Sequence, residues 1–442
     1  MGRVRKVKDK SKGGFLSGAV WIAAGGFIAK LLGAVYRIPL TNLIGGYGLG
    51  LYQLVYPVYC LLLTVSATGI PSAIAKLTAE RIGRGQPAHG VLKTALKLFT
   101  LIGICGGVLM AAVAPFLSAA QGSRAVLGGY YALAPAVAFV SVISVFRGWF
   151  QGHNRMAPTA LSEILEQLVK VGFGLLFAYL FRGDIERAVV FLLLAVSLSE
   201  LTTLFFMLAL YRRPKLEEQE QNARESARGI LRLSIPVTFN SMLLPTSSLL
   251  DSVLVPRLLG GYAENAVALY GLFAGGAVTV INLPVSVCYG IAAASIPAVA
   301  AATRGAERRK SIRFSLFITA AVSIPCAVAL YLFAGQAAKM IFRSLSVQEL
   351  SVLTELIRIF SLSAFTLSCV QTLSACLTAQ GAPQRAALSM LIALIVKTAV
   401  YFVLLRRQDI SVLGMAHATN VAYLVAFFLD LLYNFSITRR KE

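Results

Sequence analysis

Long apolar runs separated by short polar connections recur along the whole chain, and a helix needs about 20 apolar residues to cross the hydrocarbon core. Twelve such runs can be read: Phe15 to Ile44, Leu51 to Ala75, Gly90 to Ser118, Leu127 to Phe150, Pro158 to Phe181, Ala188 to Tyr211, Ile230 to Leu259, Ala266 to Ala301, Ile312 to Phe333, Leu353 to Ala379, Ala386 to Leu405 and Val412 to Thr438. The first, seventh and eighth approach about 30 residues, roughly 45 Å at the helical rise, which predicts tilted or protruding helices. Outer-membrane strands would be about 10 residues of strict alternation. The pattern therefore predicts an all-α integral membrane protein of twelve transmembrane helices.

The second half of the chain repeats the first. Gln151-Gly152 matches Gln380-Gly381, and Ala160-Leu161-Ser162 with Lys170 matches Ala387-Leu388-Ser389 with Lys397 at the same interval. Earlier in each half, Gly45-Gly46-Tyr47 with Leu51-Tyr52 matches Gly260-Gly261-Tyr262 with Leu269-Tyr270, and Ile70-Pro71 matches Ile296-Pro297. Six helices per half return the second half to the same orientation, so the repeat predicts two lobes related by a pseudo-two-fold axis along the membrane normal. The expected layout is a basic tail over 1–14, an N-lobe over 15–211, a polar linker over 212–229, a C-lobe over 230–438 and a short C-terminus over 439–442. Two such lobes suit alternating access by rocking. Gly69 and Pro71 in helix 2, and Gly290 and Pro297 in helix 8, are candidate gating hinges, with static packing kinks as the alternative.

Composition agrees: 57% of residues are hydrophobic and 14% charged. The net charge of +22 would suit nucleic acid, but its distribution points elsewhere. Of the 41 Lys and Arg residues, 28 are assigned to one side of the twelve-helix layout, in the two tails, in the connections and at the adjoining run ends, Arg147 being counted with the connection after the fourth run. By the positive-inside rule that side, with both termini, is cytoplasmic, and the basic tail reads as topogenic and in contact with anionic lipid. No nucleic-acid partner is expected. The six cysteines lie inside apolar runs without a metal-binding spacing and read as small core residues. The first apolar run is too long for a signal-peptide core and is read as helix 1.

Ionisable residues inside the runs are functional candidates because each costs about 2.5–3.5 kcal/mol to insert. Lys30 and Arg37 in helix 1 are seven apart and share a face, with no acid inside that helix to pair with them. They read as a cationic wall placed for phosphate; snorkelling, or pairing with Asp251, Glu200 or Asp430, is the alternative. In helix 5, Glu163, Glu166 and Lys170 share a face, and Glu166 with Lys170 forms a well-oriented i,i+4 pair. The repeat places Met390 and Ala393 where those acids stand, so Lys397 keeps the lysine without helical partners and is the better substrate-facing candidate. Asp251 continues a polar face with Asn240 and Ser247, and could counter a helix 1 cation or bind a coupling ion. Glu200, Asp430, Glu166 and Lys170 are the ion-coupling candidates; Arg257 and Arg358 sit where snorkelling explains them.

Catalysis fails on inventory. The three histidines, His89, His153 and His417, have no metal-ligand spacing, and there is no Walker A sequence or nucleophile elbow. A membrane glycosyltransferase would carry a sizeable extracytoplasmic loop with metal-binding acids, whereas every loop here is short. The expectation is a transporter and not an enzyme, with no cofactor, driven by membrane potential, by Na+ or H+, or by consumption of product.

Gly26-Phe27-Ile28-Ala29-Lys30-Leu31-Leu32-Gly33 through Arg37, then Gly45 to Gln53, with Phe150-Gln151-Gly152 and Ala379-Gln380-Gly381, resembles the stage V sporulation protein B branch of the multidrug/oligosaccharidyl-lipid/polysaccharide exporter superfamily. The chain is also similar to the peptidoglycan lipid II flippases, whose helix 1 carries two basic residues around a Leu-Gly; Lys30 is the counterpart of the first. The resemblance implies a pair of six-helix lobes, without the last two helices of fourteen-helix relatives. It implies flipping of a lipid-linked saccharide, a polyprenyl-pyrophosphate sugar such as a peptidoglycan precursor, across a bacterial cell membrane. Lys30, Arg37, Lys397, Asp251 and Asn240 together are the candidate substrate-binding residues. Membrane lipids and wall-synthesis enzymes are candidate partners of a monomer. A cation-coupled multidrug antiporter of the same superfamily, or a non-transporting scaffold for wall synthesis, are the competing expectations.

Overall fold

The computed structural model describes residues 2–211, 223–302 and 304–439. Within them, the side chains of residues 2–24, of Lys30, Asn240 and Pro236, and of a few neighbours fall outside the description. The described residues are helical throughout, with no strand. In order they form α1 (Gly2–Ala67), α2 (Ile70–Gly83), α3 (His89–Ala120), α4 (Leu127–Gly152), α5 (Ala157–Leu180), α6 (Ile185–Leu210), α7 (Ala223–Ser241), α8 (Leu243–Leu259), α9 (Ala266–Gly271), α10 (Val278–Ala301), α11 (Gly305–Leu332), α12 (Ala334–Ile341), α13 (Val347–Ala379), α14 (Pro383–Leu404) and α15 (Leu413–Arg439).

Each of the twelve apolar runs coincides with helix. Nine helical stretches among the described residues are long and apolar enough to cross a membrane by length and composition. The remaining three runs depart for visible reasons. The first lies in large part where side chains are not described, α5 carries Glu163, Glu166 and Lys170, and the seventh run is two helices separated at Met242. The first and second runs join into one long helix broken at Gly45, whose φ of 65° is a left-handed conformation that glycine adopts without penalty. A second left-handed glycine, Gly69 at φ 80°, separates α1 from α2, with Pro71 in the first turn of α2. Thus the Gly69–Pro71 candidate hinge is a real interruption. Its expected counterpart is not: α10 runs unbroken through Gly290 and Pro297, and the irregularity of that span is a π-helical turn at Leu272–Ala277. Proline there sits inside a helix without ending it, as apolar surroundings and neighbouring donors allow.

The chain divides into two compact units, Met1–Leu43 with Leu54–Leu249, and Ile44–Gln53 with Leu250–Glu442. The division falls inside the seventh run rather than in the 212–229 linker, and Ile44–Gln53 belongs to the second unit. In the first unit α4 is the buried centre, packed by α2, α3 and α6, while α7 lies on α2 and α3. The α3–α4 and α4–α2 contacts use small residues, the device by which membrane helices approach closely without a hydrophobic drive. A side chain at Gly103 or Gly107 of α3 would collide with Ala138, Ser141 or Ala134 of α4. One at Gly148 or Gly152 of α4 would collide with Pro71, Ile74 or Thr78 of α2. The opposite faces carry large apolar side chains in the open, such as Leu101, Val108 and Phe116 of α3, as surfaces solvated by lipid do. Cys105 is on this exposed side of α3, unlike Cys288, Cys369 and Cys376, which are buried as core residues.

In the second unit α13 is central, packed by α10, α11 and α15, with α14 against α15. The Ile44–Gln53 segment enters this unit at glycines. Gly271 stands so close to the backbone of Gly46 and Gly50 that no side chain fits, and Gly275 faces Leu49. Pro57 then dictates how the helix is satisfied. It has no N–H, so the Gln53 carbonyl one turn earlier loses its helical donor. The Tyr270 hydroxyl donates to that carbonyl at 3.3 Å, and Gln53 Nε2 donates to the carbonyl of Ala274 in the π-helical turn at 2.7 Å. Within the first unit the next carbonyl, Leu54, accepts from Gln121 Nε2 at 2.8 Å and from the Tyr130 hydroxyl at 3.3 Å. Ser197 of α6 likewise donates to a carbonyl of a neighbouring helix, that of Ala132 in α4, at 2.6 Å.

Tyr270→Phe should therefore cost about 1 kcal/mol of stability in the parent chain. In a Pro57→Ala background, where residue 57 regains an N–H, the cost should fall close to zero. Thermal unfolding of the four variants in detergent measures this; equal costs in both backgrounds would contradict the assignment.

Candidate functional site

In the first unit the ionisable groups of α1, α4, α5 and α6 converge. The α1 and α5 helices meet along a regular register, because a Cβ at Gly25 would strike Ala160, one at Gly26 would lie 3.6 Å from Glu163 Oε2, and one at Gly33 would lie 3.4 Å from Gln167 Oε1. Residues 26, 30, 33 and 37 share a helix face. Lys30 is thus placed by register on the α5-facing stripe, although its side chain lies outside the described residues. Arg37 is half-buried.

Helix α4 contributes Arg147. Its Nη2 donates to Glu166 Oε2 at 3.0 Å and its Nε to Ser162 Oγ at 3.0 Å, with the two charged side chains 14% and 18% exposed. Glu166 thus pairs with the neighbouring helix instead of forming the expected i,i+4 pair with Lys170. A guanidinium presents a fork of donors that reaches both partners at once, which a lysine cannot match. Lys170 is left half-buried with its ammonium 5.6 Å from the centre of the Tyr56 ring, a cation–π contact. Lys170 makes no ion pair among the described residues. Glu200 of α6 is 2% exposed; one carboxyl oxygen accepts from the Tyr59 hydroxyl at 3.1 Å and the other has no hydrogen-bond partner among the described residues.

The second unit reverses the expectation for Lys397. Its Nζ lies 2.6 Å from Asp251 Oδ2, joining α14 to α8, with both side chains largely buried, and 5.4 Å from the centre of the Tyr401 ring. Lys397 lost its partners along its own helix, but an adjacent helix supplies one. Asp251 accordingly counters Lys397, not a helix 1 cation. The Asn240 side chain lies outside the described residues. Asp430 of α15 is fully buried, accepts from Ser374 Oγ at 2.6 Å with one oxygen, and has no hydrogen-bond partner at the other among the described residues. Glu200 and Asp430 are therefore alike: each lies in the last helix of its half, and each holds one hydroxyl and one orphan oxygen.

Sequence reasoning missed Arg147, which it assigned to a connection. The signal was there, since Arg147 lies inside the apolar stretch Val145-Phe146-Arg147-Gly148-Trp149-Phe150. Ser162 and Gln167 on α5 went equally unremarked, being uncharged.

Residues 15–303 match the family described as polysaccharide biosynthesis protein. The chain belongs to that family. Among curated relatives it is similar to stage V sporulation protein B of Bacillus subtilis (strain 168), with 26% identity over 428 residues covering 91% of this chain and 80% of the relative. It is also similar to the lipid II flippase MurJ of the same organism, with 29% identity over 194 residues covering 39% of this chain and 35% of the relative. Among solved structures, an inward-facing multidrug resistance MATE family transporter of the MOP superfamily superposes with a TM-score of 0.79 at 17% identity, over 94% of this chain and 96% of that one. That likeness shows the fold. This member of the polysaccharide biosynthesis family is an all-helical, multi-pass membrane protein with the twelve-helix, two-half fold of MOP-superfamily transporters.

Removing one partner of a buried ion pair strands the other. Lys397→Ala should destabilise the protein by about 3–5 kcal/mol, and the apolar double variant Lys397→Met with Asp251→Leu should recover most of the loss. Unfolding midpoints in detergent decide it; a double variant as damaged as the single one would show that the pair does more than neutralise itself.

Proposed function

We propose that this chain is an alternating-access flippase of a lipid-linked saccharide, a sugar joined through pyrophosphate to a polyprenyl tail, in a bacterial cell membrane. The observation that carries the reading is the gathering of Lys30, Arg37, Arg147 and Lys170 on α1, α4 and α5 of one unit, inside apolar helices where ionisable groups are costly. A pyrophosphate must shed water to cross, and Lys or Arg side chains facing a wet crevice compensate its oxygens while the polyprenyl tail stays in lipid. The family and the sequence likeness to a lipid II flippase support a saccharide carrier as cargo. On this reading Lys30 and Arg37 contact the anionic head group, while Asp251 and Lys397 serve as a neutral structural pair. The protein is a transporter without catalytic residues or cofactor, its termini face the cytoplasm, and it works as a monomer alongside wall-synthesis enzymes.

A second reading, a cation-coupled multidrug antiporter, draws on the buried carboxyls with unsatisfied oxygens at Glu200 and Asp430 and on the MATE-type fold. Both groups equally suit Na+ or H+ coupling of the flippase. Reconstitution separates the readings. Proteoliposomes carrying a fluorescent polyprenyl-pyrophosphate sugar should show head-group translocation that falls at least about tenfold in Lys30→Ala and Arg37→Ala, the loss of roughly 1.4 kcal/mol or more of anion stabilisation. Full translocation in both variants, with drug efflux abolished by Glu200→Gln, would favour the antiporter.

A further inference from the structure

On the side of the bilayer that the positive-inside rule leaves sparsely charged, a cation has no topological role and its surroundings must explain it. Arg187 pairs there with Asp184 at 3.0 Å and Arg407 with Asp409 at 2.9 Å, while Arg182 and Arg406 lie over the rings of Tyr179 and Phe402. Lys339 and Arg343 differ. Both are exposed, and neither makes a hydrogen bond, ion pair or ring contact among the described residues. No acid occurs in the sequence between Glu307 and Glu349, and Glu349 is committed to the capping box of α13 with Ser346.

The length of α11 sets the depth of these two cations. Helix α11 begins beside Arg304, carries Arg308, Arg309, Lys310 and Arg313 in its first turns, and continues for 28 residues, roughly 42 Å at the helical rise. That length spans the hydrocarbon core of about 30 Å and reaches into the head-group layers at both ends. Helix α12 therefore starts at the bilayer surface opposite the basic run. Its inner side is seated on α13: Ala334 and Ala338 are fully buried, and a Cβ at Gly335 would lie 3.6 Å from Thr354. Its outer side is open. Phe333 and Met340, seven residues and two turns apart, are 57% and 69% exposed, and they continue the exposed apolar side chains Phe317, Ile324, Val328 and Tyr331 of α11. Lys339 adjoins Met340, and Arg343 follows it by four residues.

An apolar edge beside a basic one, at head-group depth, is the arrangement of a helix that lies in the interface with its apolar side chains in the acyl boundary. The basic edge has no acid to neutralise it, so its occupant is anionic. We propose that α12 is an interfacial anchor that binds the phosphate of an anionic phospholipid, with Lys339 and Arg343 at the phosphate and Phe333 and Met340 in the adjoining acyl layer. The site is separate from the intramembrane charges and holds whatever the cargo is.

The test places the full-length chain in nanodiscs of equal phosphatidylglycerol and phosphatidylcholine, in which one lipid or the other carries a photoreactive group near the head of its acyl chain. Cross-links are mapped by mass spectrometry of peptic peptides, with the exposed face of α3 at Leu101 and Val108 as the reference for lipid contact without cations. Segment 332–346 should take label from phosphatidylglycerol at least about fivefold more than from phosphatidylcholine, relative to that reference. Lys339→Gln combined with Arg343→Gln should bring the ratio close to one, Lys339→Arg should keep it, and added salt should narrow it. Four outcomes would overturn the proposal: a ratio equal to that at α3, a ratio unchanged in the double variant, a segment that takes no label, or a preference abolished by glycerol 3-phosphate in solution, which would assign the cations to a free phosphate. Transport is not read out, so failure of the flippase reading leaves this test intact.

Discussion

The cost of holding charge and polar backbone away from water governs this molecule. In hydrocarbon an unpaired ion or an open carbonyl is penalised by several kcal/mol, so each charged side chain inside a helix needs a specific local solution. Arg147 takes Glu166 and Ser162, and Lys397 takes Asp251. Lys170 has an aromatic face. The distribution of solutions is uneven: Arg147 and Lys397 have full partners, while Lys170 has only a ring face among the described residues.

The same constraint shapes the backbone. A proline inside a membrane helix strands a carbonyl, and the Gln53 carbonyl stranded by Pro57 is answered by Tyr270, while Gln121 with Tyr130 and Ser197 donate to the carbonyls of Leu54 and Ala132. These donors are distant in sequence. The polar side chains buried in α13 and α15 make a similar seam, with Ser363 donating to Asn420 at 2.5 Å and Gln380 to Asn434 at 2.7 Å. Polar contacts of this kind tie membrane helices where apolar burial offers no drive.

Much of the architecture was legible because the bilayer imposes one length and one periodicity. All twelve runs emerged as helix within a few residues, since an apolar stretch of that length has one outcome. Breaks were less legible. Gly69 followed by Pro71 ends a helix because a left-handed glycine cannot continue one, yet Gly290 and Pro297 carry the same residue types inside an unbroken helix. What differs is the conformation at the glycine, and composition does not encode it. The unit boundary was also displaced from the polar linker, because α7 packs on α2 and α3 although it follows that linker.

Charge pairing was the least legible feature. Spacing along one helix suggested Glu166 with Lys170, but a neighbouring helix brought a competing guanidinium with better geometry, and Lys397 found Asp251 the same way. Pairings between helices depend on crossing and register that no single segment contains. Native mass spectrometry of the chain ejected from nanodiscs made with its native lipids tests the central claim most directly. The account expects a bound species whose mass and fragments reveal a diphosphate-linked saccharide on a polyprenyl chain; a chain that carries only bulk phospholipid, or a small organic cation in its place, would contradict it.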